Sequence, residues 1–495
     1  MRRGPDLWRL FGLAYPPLVA VFIAALVVGA AFPGSAEAHG LIGRGDLPLP
    51  DWLLAWGATV LLIGSFAGLI LLWREPKLEG DTSRPIAPRL SSLIRSRLVE
   101  ALVGALSIGL LVLVVYSGLQ GTDAPDRNFS VTFVFVSFWL VLVVLSVFFG
   151  RVFDALSPWR AAGRAVGGLF SLVAGRRAPA PLEYPEKLGR WPAVVGLIGF
   201  LWFELVWGQS GFSAAGVLPH DLALATIVYS AITFVGMALF GVERWHQRGE
   251  TFSVYFGMFA ALSPFQLRDG RLGRRRPLES STSWAVVPGS LGVVLVAIGG
   301  TTFDGAAEGA LSDAISSGFR TFTDAGLSPN NALRLVNTLY FAGTLLFVWS
   351  IFWLGIRGMR IAGTKRSAGE LGSKFAHAFI PIALAYLVAH YFSLVVFQEQ
   401  AQFTYLLSDP LGDGSDLFGT VGSAIDYTVI SATAIQWVQF GSIVAGHALA
   451  LAVGHDRALA IFGTSRDASW SQAWMLAVML IFSTLGLYLL SQANA

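Results

Sequence analysis

The stretch SVTFVFVSFWLVLVVLSVFF, residues 130–149, runs for twenty residues without a single charge. A helix of that length rises about 30 Å, the thickness of a bilayer's hydrocarbon core. Comparable apolar runs recur at 11–32, 52–73, 98–119, 192–207, 219–241, 284–304, 332–356, 375–398, 428–453 and 472–491. Of the 495 residues, 54% are hydrophobic and 13% charged, and the mean hydropathy is +0.63. Soluble domains carry roughly a quarter charged residues. No polar stretch here is long enough for a separate soluble domain. The composition therefore predicts an all-α, polytopic transmembrane helix bundle, with residues 1–495 forming one membrane domain. The absence of cysteine excludes disulfides, thiolate metal sites and a cysteine nucleophile.

The basic residues test the spans, because loops on the cytoplasmic side collect Lys and Arg. With the N-terminus inside, 30 of the 34 Lys and Arg fall in cytoplasmic segments. Only Arg44, Arg127, Arg320 and Arg334 fall outside. The outer loops are acidic, with Asp304, Glu308, Asp313 and Asp324 in one, and Glu399, Asp409, Asp413, Asp416 and Asp426 in another. The pI near 9.2 is thus a signature of orientation, and no nucleic-acid partner is expected.

The apolar piece 251–266 is bracketed by charge. Arg244 and Arg248 precede it; Arg268, Arg271, Arg274, Arg275 and Arg276 follow. If it crossed, every later loop would take the wrong sign. It reads as a re-entrant or in-plane segment, leaving eleven crossings and an external C-terminus. Residues 159–175, within a cytoplasmic loop at 150–191, read either as a basic amphipathic helix or as a plain linker. No internal repeat stands out. Trp52, Trp73, Trp202, Trp207 and Trp245 read as interfacial anchors.

The N-terminus offers two readings. Arg2 and Arg3, an apolar run and Ser35-Ala36-Glu37-Ala38 match a signal peptide, whose removal after residue 38 would expose His39 as an amine-plus-imidazole metal ligand. Alternatively, the run is an uncleaved first span and His39 lies in an outer loop.

Ionisable groups within a bilayer are costly, so each is a functional candidate. In 375–398, Tyr386 and His390 are four apart and share a helix face. Pro381 cannot bond the carbonyl of residue 377, so a kink is expected near His377. The span 428–453 holds Gln436, Gln439, Ser442 and His447. His390 and Gln436 each lie eight residues from the outer ends of their spans, hence level. His377 and His447 both lie near inner ends. Glu204, His220, Asp221, Asp304, Glu399 and His39 are grouped toward the outer side. Such carboxylates and imidazoles could hold a divalent metal that activates water. The expected reacting residues are His390, Glu204 and Asp304. The expected substrate contacts are Tyr386, Gln436 and Gln439. The metal candidates are His390, His447, His377, His220 and His39. His246 and His455, beside cytoplasmic arginines, need no special role, and Gly454-His455-Asp456 reads as a turn at a helix end. No H-E-x-x-H, G-x-S-x-G, P-loop or dinucleotide fingerprint is present in proper context.

The strings AHGLIGRGDLPLPDW (38–52), ERWHQRGETFSVYFGMFAALSPF (243–265), GGTTFDG (299–305), PIALAYLVAHYFSLVVFQEQ (381–400) and GHALALAVGHDRAL (446–459) spread over nearly the whole chain. On these the chain resembles a family of bacterial membrane proteins, the fenitrothion hydrolases. The resemblance implies an integral hydrolase of the bacterial cytoplasmic membrane acting on an organophosphate P–O–aryl bond. It carries over no reacting residues. Two other classes fit the same polar positions. One is a permease-like protein using 251–266 and the Gln436–His447 stripe as a path. The other is a metal-binding membrane subunit of a larger assembly.

Overall fold

The computed structural model describes residues 51–80, 83–94, 96–175, 181–208, 216–268, 271–276, 278–279, 281–361, 366–462 and 465–493. The first apolar run, the Ala36–Ala38 motif and His39 lie outside them. The described chain is a helical bundle. In order, the main helices are α1 (Asp51–Leu72), α2 (Arg97–Gln120), α3 (Phe129–Phe149), α4 (Pro158–Ala174), α5 (Trp191–Trp207), α6 (Pro219–Phe240), α7 (Val242–Arg248) and α8 (Thr251–Ala260). Then follow α9 (Ser290–Glu308), α10 (Ser312–Asp324), α11 (Pro329–Ile361), α12 (Ile380–Phe403), α13 (Ala432–Phe462) and α14 (Ser465–Ala493). Seven helical stretches among the described residues are long and apolar enough to cross a membrane. A multi-pass protein in a lipid environment follows from their number and hydropathy.

Local chemistry sets the helix ends. Asn128 caps α3 by accepting from the backbone of Ser130 at 3.0 Å. Ser157 caps α4, with Pro158 in the first turn and Gly175 in the left-handed region (φ 62°) at the end. The segment at 159–175 is therefore a helix and not a plain linker. A short 3-10 turn, Ala376–Phe379, interrupts the chain at His377, and α12 restarts with Pro381 in its first turn. Helix α13 continues to Phe462, so Gly454-His455-Asp456 is mid-helix and the expected turn is absent.

The spans divide by burial. In α2 only 17% of the apolar window is buried inside the protein; in α9 it is 78%. Helices α9, α12 and α13 form the interior, while α2 and α6 present apolar side chains outward. Helices α12 and α13 approach closely where Gly446 meets α12: a Cβ there would lie 2.3 Å from the Ala385 Cβ and 2.8 Å from the Pro381 carbonyl oxygen.

All ten residues of α8 are buried. Phe252 packs against Phe138 at 4.7 Å and Phe200 at 5.3 Å, and Tyr255 stacks on Trp139 at 4.2 Å. Each aromatic pair adds about 0.5–1.5 kcal/mol beyond simple burial. After α8 the chain forms a small hairpin, β2 (Phe265–Arg268) with β3 (Arg271–Arg274), and β1 (Arg84–Pro85) pairs antiparallel with β3. The hairpin abuts the end of α3 at Gly150, where φ is +84° and a Cβ would lie 2.8 Å from the Phe265 oxygen.

Not every tryptophan is an anchor at the lipid surface. Trp73 is buried, and its Nε1 donates to Asp456 at 2.9 Å; Trp245 is buried against Gly236 and Gly249. Their expected interfacial role gives way to core packing.

Candidate functional site

The interior helices bring one polar centre together. His390, on α12, meets Asp304, on α9, with Nε2 2.8 Å from Oδ2. Tyr391 donates its hydroxyl to the same oxygen at 2.6 Å. A carboxylate only accepts, so Nε2 carries a proton, and in the neutral imidazole Nδ1 keeps its lone pair. The two side chains are 12% and 16% exposed, so the pair is neither sealed nor surface-borne. Gly305 follows Asp304, and a Cβ there would stand 3.6 Å from Nδ1. The missing side chain leaves the basic nitrogen approachable.

Glu204 completes the surroundings. It sits in a π-helical stretch, Phe203–Trp207, at the end of α5, a distortion frequent at functional sites. Its Oε2 is buried without a hydrogen-bond partner, and it lies within electrostatic reach of Asp304, Tyr391 and Tyr255. A second π-helical stretch, Phe133–Val141 in α3, carries Trp139, whose Nε1 is also buried without a partner. Glu308, one turn along α9 from Asp304, is exposed and within electrostatic reach of both Asp304 and His390.

The other expected residues lie elsewhere. His377 Nε2 is bonded to the Trp284 carbonyl at 2.8 Å, and His447 Nδ1 to the Ile443 carbonyl of its own helix at 2.8 Å. The His220 side chain is 56% exposed at the start of α6, 4.0 Å from Asp221. These histidines do not converge with His390. Among the described residues, no three His, Asp or Glu side chains are grouped to hold a metal ion. The donor set expected for a divalent ion is therefore not assembled among them.

Tyr386 shares a helix face with His390 in the sequence, yet its hydroxyl reaches the Phe482 carbonyl of α14 and its ring stands beside His447. Gln436 and Gln439 are buried on α13, next to the apolar cluster of Phe392, Phe397, Ile435 and Val438. The contacts that hold Tyr386 are thus to α14 and α13.

Sequence reading passed over a second network, on the basic side. Asp154 is held by Arg151 at 2.7 Å and by His246 Nε2 at 3.1 Å. His246 Nδ1 is 3.9 Å from Glu250 Oε2. Glu250, 1% exposed, caps α8 by accepting from Phe252 N at 2.9 Å and Ser253 N at 2.7 Å, and it receives the Tyr229 hydroxyl. A third network holds α13 to the chain after α1. Asp456 accepts from Trp73 Nε1 and from the backbone of Lys77 (2.5 Å) and Leu78 (3.1 Å), and His455 Nε2 meets the Trp73 carbonyl. His246 and His455 are thus buried members of these two networks. A glutamate at the N-cap lies outside the usual Ser, Thr, Asp and Asn signals, so this cap had no cue in the sequence. Tyr391 and Tyr255 had no cue, since a tyrosine in a span is ordinary.

Comparison of the chain with protein-family models, with curated proteins and with solved structures finds no match in any of the three.

Proposed function

We propose that this protein is an integral hydrolase of the bacterial cytoplasmic membrane, with His390 as the general base and Asp304 as the group that orients it. The observation that carries the reading is the 2.8 Å contact of His390 Nε2 with Asp304, which leaves Nδ1 bare beside Gly305. A base held in one tautomer by a carboxylate, with a second ring nitrogen open to approach, is the arrangement that activates water. The substrate class is an organophosphate triester, as the resemblance implies. In the step, a water oxygen bonds to phosphorus as His390 Nδ1 takes its proton. The P–O–aryl bond then breaks, and the phenolate leaves with that electron pair. Glu204 lies close enough to set the local charge.

The topology proposed with it has eleven crossings, N-terminus inside and C-terminus outside. Ten would be α1, α2, α3, α5, α6, α9, α11, α12, α13 and α14; the eleventh would be 11–32. Helix α8 would dip in from the cytoplasmic side and return. The 30-to-4 division of basic residues supports the orientation.

The test is turnover of a chromogenic phosphotriester by the purified protein in detergent. Wild type is expected to turn over, with His390→Ala and Asp304→Asn strongly impaired. Equal rates in wild type and His390→Ala would overturn the assignment.

A further inference from the structure

We propose that the small sheet of β1, β3 and β2 is a lipid-binding platform, on which Arg84, Arg89, Arg271 and Arg274 take the headgroup phosphates of anionic phospholipids in the adjoining leaflet.

The sheet is tied to the ends of two spans. Ser263, just before β2, donates its hydroxyl to the Phe148 carbonyl in the last turn of α3, at 3.2 Å. Ser263 Oγ also accepts from Phe265 N at 3.0 Å, so β2 starts where α3 stops. On the other side, Leu272 N of β3 donates to Ser91 Oγ at 2.9 Å. Ser91 belongs to a short helix, Pro88–Ile94, which leads into α2 at Arg97. Only 17% of the apolar window of α2 and 33% of that of α3 is buried inside the protein. The flanks of both spans therefore face lipid, and the sheet sits at the level where the headgroups begin.

Its charges are unmatched. Register sets Arg84 of β1 directly opposite Arg274 of β3, and Arg268 of β2 opposite Arg271 of β3. Directly opposed like charges destabilise a sheet. An anion shared between Arg84 and Arg274 turns that repulsion into attraction. Arg84, Arg89, Arg271 and Arg274 are exposed, and their side chains make no ion pair or hydrogen bond among the described residues. By contrast, Arg151, Arg160, Arg164, Arg366 and Arg457, from other basic segments, each have a carboxylate partner.

A guanidinium offers a planar fork of N–H donors that matches phosphate oxygens. Beside an anionic bilayer surface, each such side chain strengthens binding about fivefold, an attraction that salt screens. The inference rests on α2 and α3 as membrane spans, and not on the ester reading.

The test titrates lipid into the full chain in neutral detergent and follows its melting temperature. Phosphatidylglycerol is expected to raise it by several degrees, less so at high salt, and phosphatidylcholine with the same acyl chains to leave it unchanged. Combining Arg84→Ser, Arg271→Ser and Arg274→Ser should weaken the phosphatidylglycerol titration roughly 10²-fold. Without lipid, that variant should melt no lower than wild type, because a repulsion has been removed. Arg274→Ser alone, the smaller change should the triple variant fail to fold, should weaken it about fivefold. Arg357→Ser with Arg360→Ser, exposed positions at the end of α11, should have no effect. An equal response to the two lipids, an undiminished titration in folded Arg274→Ser protein, or an equal loss in the α11 variant would overturn the platform. Inorganic phosphate acting as strongly as phosphatidylglycerol would overturn the lipid as its ligand. No ester is present, so failure here leaves the hydrolase assignment standing, and the converse also holds.

Discussion

Asp154 meets His246 at 3.1 Å, and Asp304 meets His390 at 2.8 Å, yet the two pairs sit in different company. Asp154 is clamped by Arg151 through two hydrogen bonds, and its histidine is 1% exposed. Beside it, Glu250 caps α8. The contacts of Glu250 fix where the buried helix begins. Asp304 has no arginine. Its oxygen takes an imidazole and a phenol, and the neighbouring Glu204 has an oxygen with no partner at all. The same pair of residue types is thus a clasp where a cation balances it, and in the proposed function a base where none does. Charge compensation, more than the contact distance, separates the two.

The largest expected effect breaks the comparison on the active side. His390→Ala should lower phosphotriester turnover by about 10²–10⁴-fold, the usual contribution of a general base. His246→Ala should leave turnover near wild type and lower the melting temperature instead. If both variants behaved alike, the distinction drawn here would fail. Next comes the clasp. Glu250→Ala removes the acceptor for two backbone N–H groups and should cost about 1–2 kcal/mol, read as a lower thermal midpoint in detergent. Glu250→Gln keeps an acceptor and should cost less.

A smaller effect sharpens the active side. Gly305→Ala sets a methyl 3.6 Å from His390 Nδ1, where water must approach. Turnover should fall by about tenfold, or about 1.4 kcal/mol, with little change in melting. Unchanged turnover would mean that the approach is from another direction. The smallest effect concerns pH. Burial pushes the Asp154 carboxyl up, but the hydrogen bond from His246 and the charge and hydrogen bonds of Arg151 outweigh it and hold it well below the usual range. A depressed carboxyl stabilises the fold above its unfolded value, near ~3.9, and that stabilisation is lost as pH falls through the folded value. The gap in melting temperature between wild type and Asp154→Asn should therefore be full at neutral pH and narrow below about pH 4.

Much of the bundle was legible because hydropathy adds up along a chain. Each of the ten apolar runs within the described residues overlaps a helix, the first five to within about a residue at either end and the later ones with ends displaced by up to nine residues. His390, Asp304 and Glu204 were legible as charges in costly places. Their grouping with Tyr391 was not, and neither was the scatter of His377, His447 and His220. Tyr386 shows why: four residues from His390, it still faces a different helix.

By itself, then, the sequence determined the helical class, the abundance of spans and the short list of ionisable residues within them. Each follows from transfer free energy and charge, which act residue by residue. Only the tertiary structure decided which histidine found a carboxylate, which found a backbone carbonyl, and that α8 is buried on every side. Those outcomes depend on how each helix is rotated about its axis. Rotation is set by close packing between neighbours, such as Gly446 against Ala385, and leaves no trace in local hydropathy.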